Sequence, residues 1–154
     1  MPMIDVYAAT GTFKDRHSLA VDLATALMTI EQVPNIPLFR RNTAAFVHEL
    51  PSEALANVDG EHTYVRVQVL TNAGALDRDK QLAVVERLTA IVAEAAGDPS
   101  QVNRTWVLLT EAPDGGWASA ATRILTRSWW LLPGRKLRNC ERRQLRRNGR
   151  LAKF

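Results

Sequence analysis

The first 116 residues contain two similar repeats, with a period near 62 residues, and this duplication constrains the fold more than any other feature. A strand-like segment at residues 4–7 recurs at 65–69, with alternating apolar positions and β-branched side chains. Three residues of the first half recur 62 positions later: Thr43, Glu49 and Pro51 as Thr105, Glu111 and Pro113. The order of these matches indicates a tandem duplication.

Between the two strand-like segments of each half, apolar residues recur at helical spacing. In the first half these are Leu19, Leu23, Ala26, Leu27 and Ile30, and in the second Leu82, Val85, Leu88, Val92 and Ala95. Asp77 is a predicted N-cap, and Gly97 followed by Pro99 predicts the end of the second helix. Pro34 and Pro37 are predicted to end the first helical region in the same way.

Each half therefore reads as β-α-β, with second strands predicted at 43–50 and 105–110. A strand, a crossover helix and a second strand are most simply parallel. Two such units, joined through Pro51–Glu61, predict an α/β fold with a four-stranded sheet and both helices on one face. The other sheet face would remain uncovered, which predicts an oligomer.

The net charge of +4 is unevenly distributed. Residues 1–116 hold 9 Lys/Arg against 15 Asp/Glu, whereas residues 117–154 hold 11 Lys/Arg and one acid. We expect a body at 1–117, with repeats 2–51 and 63–113, and a basic tail at 118–154. No apolar run suits a membrane helix, no leader precedes the first strand, and Cys140 is the one cysteine. These features predict a soluble cytoplasmic protein without membrane contact.

Pro2 follows Met1 directly and precedes apolar strand residues. One interpretation is an ordinary strand-edge proline, whose missing N–H costs nothing there. The alternative requires removal of Met1, which would give Pro2 a free secondary amine. An α-amino group has a pKa near ~8, and apolar or cationic surroundings lower it. Such an amine can take a proton from carbon and return it elsewhere.

Pro2, the duplicated β-α-β unit and the segment Thr110–Trp117 together resemble the tautomerase superfamily, in its fused 4-oxalocrotonate tautomerase-like form. The resemblance covers about residues 2–117. It implies a homotrimeric isomerase without cofactor or metal, in which Pro2 is general base and then acid in keto-enol isomerisation of a small 2-oxo acid. It also implies that Trp117 lines the substrate pocket.

Family members bind substrate carboxylates through arginines, but this chain departs from that pattern. Thr12, Ala44 and Trp106 stand at the positions of the family's arginines, and Thr71–Gly74 replaces an arginine pair typical of haloacrylate dehalogenases. Arg40, Arg41 and Arg104, just before the second strands, are the candidate substitutes. The alternative is a solvated loop pair for the first two and a surface charge for Arg104. The three histidines show no metal-ligand spacing.

The tail admits two interpretations. Codons allowed for residues 117–133 can be read one base over as a glycine followed by a well-patterned helix, so we favour an out-of-frame translation. The gene sequence decides this, since stops in the shifted frame would refute it. The alternative is a nucleic-acid or membrane-surface arm with paired arginines and Trp129-Trp130. Nucleic acid is the less favoured partner.

A further alternative for the whole protein is a non-catalytic member of the same fold.

Overall fold

The structure, a computed structural model, describes residues 2–113, 115–119 and 122–124, with only the backbone for 117–119 and 122–124. The chain divides into two compact units, Met1–Pro113 and Asp114–Phe154. The first unit carries both repeats, and Trp117 belongs to the second. The predictions for the basic tail beyond residue 124, including Cys140 and the tryptophan pair, lie outside the described residues.

The first unit is built on a four-stranded mixed sheet. Its strands are β1 (Met3–Ala9), β2 (Ala44–Leu50), β3 (Val65–Asn72) and β4 (Thr105–Ala112). The spatial order is β2-β1-β3-β4, in which β1 and β2 are parallel, β3 and β4 are parallel, and β1 and β3 are antiparallel. Each repeat is therefore a parallel β-α-β element, and the two repeats pair with each other through their first strands, β1 and β3. The predicted fold class is confirmed.

Three α-helices connect the strands: α1 (Arg16–Glu31), α2 (Pro37–Arg41) and α3 (Arg78–Ala96). Short 3-10 helices cover Ser52–Ala54 and Pro99–Arg104. The sequence did not predict α2, because Pro37 was interpreted as a stop signal. Pro37 instead occupies the first turn of that helix, where its missing N–H costs nothing. Among the described residues, no helix combines the length and apolar character needed to cross a membrane.

The core lies between the helices and one face of the sheet. Fully buried residues alternate along the two central strands, Ile4, Val6 and Ala8 in β1 and Val65, Val67 and Val69 in β3. The predicted stripe of α1 is confirmed through buried Leu19, Leu23 and Leu27.

For α3 the predicted stripe is partly wrong. Leu88 and Val92 are buried, but Leu82 is 53% exposed and Val85 is 39% exposed, and Val84 and Ile91 are buried instead. Apolar residues flank Leu88 and Val92 on both sides of the helix. Packing against the sheet and α1 decides which flank is buried, and periodicity alone does not contain that information.

The other face of the sheet carries large apolar side chains that remain exposed in the single chain. Phe46 and Trp106 are each 49% exposed, and Leu108 is 39% exposed. Polar contacts lie between them: His48 Nε2 lies 2.7 Å from Asp5 Oδ1, and the His48 ring stacks on Tyr7 at 4.6 Å. The exposed apolar surface agrees with the expectation that this face needs a partner.

The N-cap of α3 provides a stability prediction. Asp77 Oδ1 accepts a hydrogen bond from the Lys80 backbone N–H at 2.9 Å, as the sequence predicted. Replacing Asp77 by Ala should lower the free energy of unfolding by about 1 kcal/mol, because that N–H loses its partner. Urea denaturation of the variant measures this change. Asp79→Ala is the control, since Asp79 lies in the first turn and does not cap it; equal losses in both would contradict a capping role.

Candidate active site

Pro2 is buried and immediately precedes the central strand β1. Its carbonyl accepts a hydrogen bond from the Ala44 backbone N–H at 3.4 Å, so the β1–β2 ladder extends to this residue. Two residues further on, Ile4 is fully buried in the core. Because side chains of a strand alternate between faces, the Pro2 ring lies on the same, helix-covered side as Ile4.

The strand directions decide which residues share an edge of the sheet with Pro2. Since β1 is parallel to β2 and antiparallel to β3, the start of β1 lies beside the start of β2 and the end of β3. The end of β3 continues into the turn at 73–76. There the Gly74 N–H donates to Glu111 Oε1 at 3.1 Å, and the Ala73 N–H donates to the Ala112 carbonyl at 3.1 Å. The turn after β3 and the end of β4, both in the second repeat, therefore lie at the same edge as Pro2 and the start of β2.

Helix α2 brings Arg40 and Arg41 to the same edge as Pro2. The helix ends at Arg41, and only two residues separate it from β2, whose first residue bonds to Pro2. Both arginines are exposed. No ion pair joins either of them to another residue in the described part of the first unit. Their guanidinium groups are therefore available to an anionic ligand.

Arg104 lies at the opposite edge of the sheet within one chain. It precedes β4, whose start pairs with the start of β3, beside the end of β1. Its guanidinium bonds Asp98 Oδ2 at 2.7 Å and Ser100 Oγ at 3.0 Å. Hydrogen bonds from Ser100 and from Arg104 lower the pKa of the Asp98 carboxyl. One protomer thus does not bring Arg104 together with Pro2.

Trp117 opens β5 (Trp117–Ser119), which pairs antiparallel with β6 (Thr122–Ile124). This short ladder belongs to the second unit. Residue 117 was predicted to end the body, with the basic tail starting at residue 118, and the two strands were not predicted.

No cluster of three or more His, Cys, Asp or Glu side chains suited to a metal ion occurs among the described residues. A groove of about 1030 Å³ runs between α1 and α3, on the helical side of the protomer. Charged side chains such as Asp22, Glu86 and Arg87 line it, together with small residues. Neither Pro2 nor any candidate arginine lines this groove, so it is not the predicted site.

Thr43 also lies at this edge, and its sequence pattern marked it only as part of the repeat. It immediately precedes β2, is 8% exposed, and its Oγ1 has no hydrogen-bond partner among the described residues. The sequence contains a threonine at this position in both repeats, which is a signal of similar placement. It contains no signal that the first hydroxyl would be buried without a partner.

The two arginines of α2 provide a prediction for substrate binding. If Arg40 and Arg41 hold the substrate carboxylate, Arg40→Ala and Arg41→Ala should raise KM, and the larger effect should reach about 10- to 100-fold, because a charge-assisted hydrogen bond is lost. Steady-state kinetics with a 2-oxo acid enol measures this. The control is Arg87→Ala, which removes an arginine from the groove between the helices. A KM unchanged in the double Arg40/Arg41 variant would exclude both.

Comparison by sequence finds neither a matching model of a known protein family nor a matching curated protein. Solved structures do match. Q0, a fused 4-OT that is a symmetric trimer, has a TM-score of 0.66 at 18% identity and covers 82% of this chain and 97% of its own. N1, a member of the cis-3-chloroacrylic acid dehalogenase family, has a TM-score of 0.68 at 18% identity, with 85% and 92% covered.

Pt0534, a protein inactivated by 2-oxo-3-pentynoate, matches with a TM-score of 0.67 at 18% identity, with 82% of this chain and 98% of its own covered. At these identities the similarity establishes the fold. Together with the strand order and the duplicated β-α-β units, it shows that the chain has the fused two-repeat architecture of tautomerase-like proteins.

Proposed function

We propose that this chain, which has the fused two-repeat tautomerase fold, is a cofactor-independent isomerase acting on a small 2-oxo acid or its enol. The observation that supports the proposal most directly is the place of Pro2, buried where the central strand begins. Removal of Met1 would leave there a secondary amine that the ring and the strand hold in one orientation. The inactivation of the fold neighbour Pt0534 by a 2-oxo acid supports the substrate class.

In the proposed reaction the neutral Pro2 amine removes a proton from the carbon beside the 2-oxo group. The C–H electron pair moves into the new C=C bond, and negative charge collects on the oxo oxygen. The protonated amine then returns the proton to the oxo oxygen, which gives the enol, and ketonisation of the enol is the same sequence in reverse. Arg40 and Arg41 would hold the carboxylate and stabilise the developing charge.

The proposed assembly is a homotrimer. The exposed apolar side chains of the open sheet face support it, since one protomer leaves them in solvent. The trimeric state of the fold neighbour Q0 supports it as well. In such an assembly the Arg104 of one subunit could approach the Pro2 of another, and Trp117 would line the pocket. Arg104 is proposed for the site on that basis, and Trp117 on the basis of the resemblance in sequence alone.

The experiment that tests the proposal is ketonisation of a simple 2-oxo acid enol, followed by its ultraviolet absorbance. Turnover above the uncatalysed rate is expected, together with loss of activity when 2-oxo-3-pentynoate is added. In that reaction the amine nitrogen forms a bond to the alkyne carbon, one alkyne π bond breaks, and the amine proton moves to the neighbouring carbon. Absence of both turnover and a Pro2 adduct would indicate a non-catalytic member of the fold.

A further inference from the structure

Strand β4 forms one border of the four-stranded sheet and has a neighbouring strand, β3, on one side only. The Ala112 carbonyl accepts a hydrogen bond from the Ala73 backbone N–H at 3.1 Å, so it points towards the β3 side. Because backbone groups alternate in direction along a strand of a parallel pair, the N–H and C=O groups of Val107 and Leu109 point away from the sheet. Among the described residues these outward groups have no hydrogen-bond partner.

The sequence of β4 lacks the features that ordinarily protect an unpaired edge strand. Residues 105–110 contain no charged side chain, no proline and no glycine. The register with β3 runs without a break from Thr105 to Ala112, so no bulge interrupts the edge. Native proteins blunt exposed edges with charges, prolines or bulges, or they cover them. The other border strand, β2, differs, because it carries His48 and Glu49, and Glu49 forms an ion pair with Arg16 at 2.6 Å.

The same strand also carries part of the open sheet face. The Trp106 side chain is 49% exposed and the Leu108 side chain is 39% exposed. They alternate with Val107 and Leu109, and successive residues of a strand lie only about 3.3 Å apart. A partner that covers the side chains of Trp106 and Leu108 therefore lies within reach of the outward backbone groups between them.

We infer that a segment of a second copy of this chain adds to the outer edge of β4 through main-chain hydrogen bonds. Two β4 edges paired with each other would form a self-complementary contact, which closes as a dimer. A threefold ring instead repeats a contact between two different surfaces. The segment that the second copy contributes is therefore not its own β4. This inference rests on the proposed homotrimer, to which it adds the main-chain contact.

Amide hydrogen exchange of the full chain, resolved by residue with NMR, tests the inference directly. An outward amide without a partner exchanges nearly as fast as in the unfolded chain. In the assembled protein the amides of Val107 and Leu109 should exchange at least about 100-fold more slowly than in the unfolded chain, because each is held by the second copy. The amide of Leu108, which points towards β3, is the internal reference for a paired group of the same strand.

A pair of variants at Val107 separates the main-chain contact from side-chain packing. Val107→Pro removes the outward N–H, and an edge strand tolerates proline where that N–H does not face the sheet. Val107→Ala removes side-chain packing but keeps the N–H, so it is the matched control. In sedimentation velocity Val107→Pro should have the mass of a monomer, and Val107→Ala should have the mass of a trimer. Circular dichroism establishes that both protomers are folded.

Exchange of the Val107 and Leu109 amides at the rate of the unfolded chain would overturn the inference, and so would a monomeric wild type or a trimeric Val107→Pro. If Val107→Pro does not fold, the exchange rates of the wild type decide alone. Failure of the proposed function looks different, because it appears as absence of turnover in a trimer whose two amides are protected. An active trimer with unprotected amides would contradict only the inference.

Discussion

Replacing Pro2 by alanine is expected to lower kcat/KM for a 2-oxo acid enol by about 10²- to 10⁴-fold, the range in which a positioned general base contributes. The primary amine of alanine is not held by a ring, so the strand no longer fixes the direction of its lone pair. Pro2 is buried next to the core, yet its side chain is small, and the protomer fold should persist. Steady-state kinetics with the purified variant measures the loss.

The matched control is Pro34→Ala, since Pro34 is an exposed proline in the connection between α1 and α2. This variant should keep the activity of the wild type. Circular dichroism and sedimentation of both variants establish that fold and assembly are intact. Equal activity of Pro2→Ala and the wild type would remove Pro2 from the mechanism.

Replacing Leu108 by glutamate should dissociate the proposed trimer and abolish activity at micromolar protein. Leu108 lies on the open sheet face and is 39% exposed in the single chain. If an interface covers this face, an unpaired carboxylate is buried there, which costs several kcal/mol for each copy. Sedimentation velocity should show the mass of a monomer for the variant and of a trimer for the wild type.

The control for this prediction is Leu82→Glu, the same substitution on the opposite side of the protomer. Leu82 is 53% exposed on α3 and lies away from the open sheet face. This variant should sediment as a trimer and keep its activity. Dissociation of both variants would place the interface elsewhere or indicate a general loss of stability, and a trimeric Leu108→Glu would contradict the proposed assembly.

The architecture could be predicted from the sequence because the duplication repeats the strand, cap and strand signals in the same order. Asp77 and Gly97 mark the ends of α3 as their chemistry predicts. The local sequence pattern was insufficient where tertiary packing decides which residue is buried or where a helix begins. Pro37 starts a helix instead of ending one, and Val84 rather than Leu82 is buried. In both cases the sequence permits two outcomes that only the neighbouring elements distinguish.

Only those residues of the candidate site that are marked by their position along the chain could be predicted from the sequence. Pro2 could be identified from its place before the first strand. The separation of Arg104 from Pro2 depends on the antiparallel pairing of the two repeats, which no residue pattern specified. The Thr43 hydroxyl is buried without a hydrogen-bond partner among the described residues, whereas Thr105, at the same place in the second repeat, donates to the Gln101 carbonyl, and the sequence carries no signal of this difference.

The mass of the N-terminal peptide of the purified full chain decides whether Pro2 can act through a free secondary amine. We predict a peptide that begins at Pro2, without Met1 and without any added group on its nitrogen. A peptide that retains Met1, or one whose Pro2 nitrogen is acylated, has no such amine and would rule out proton transfer by Pro2.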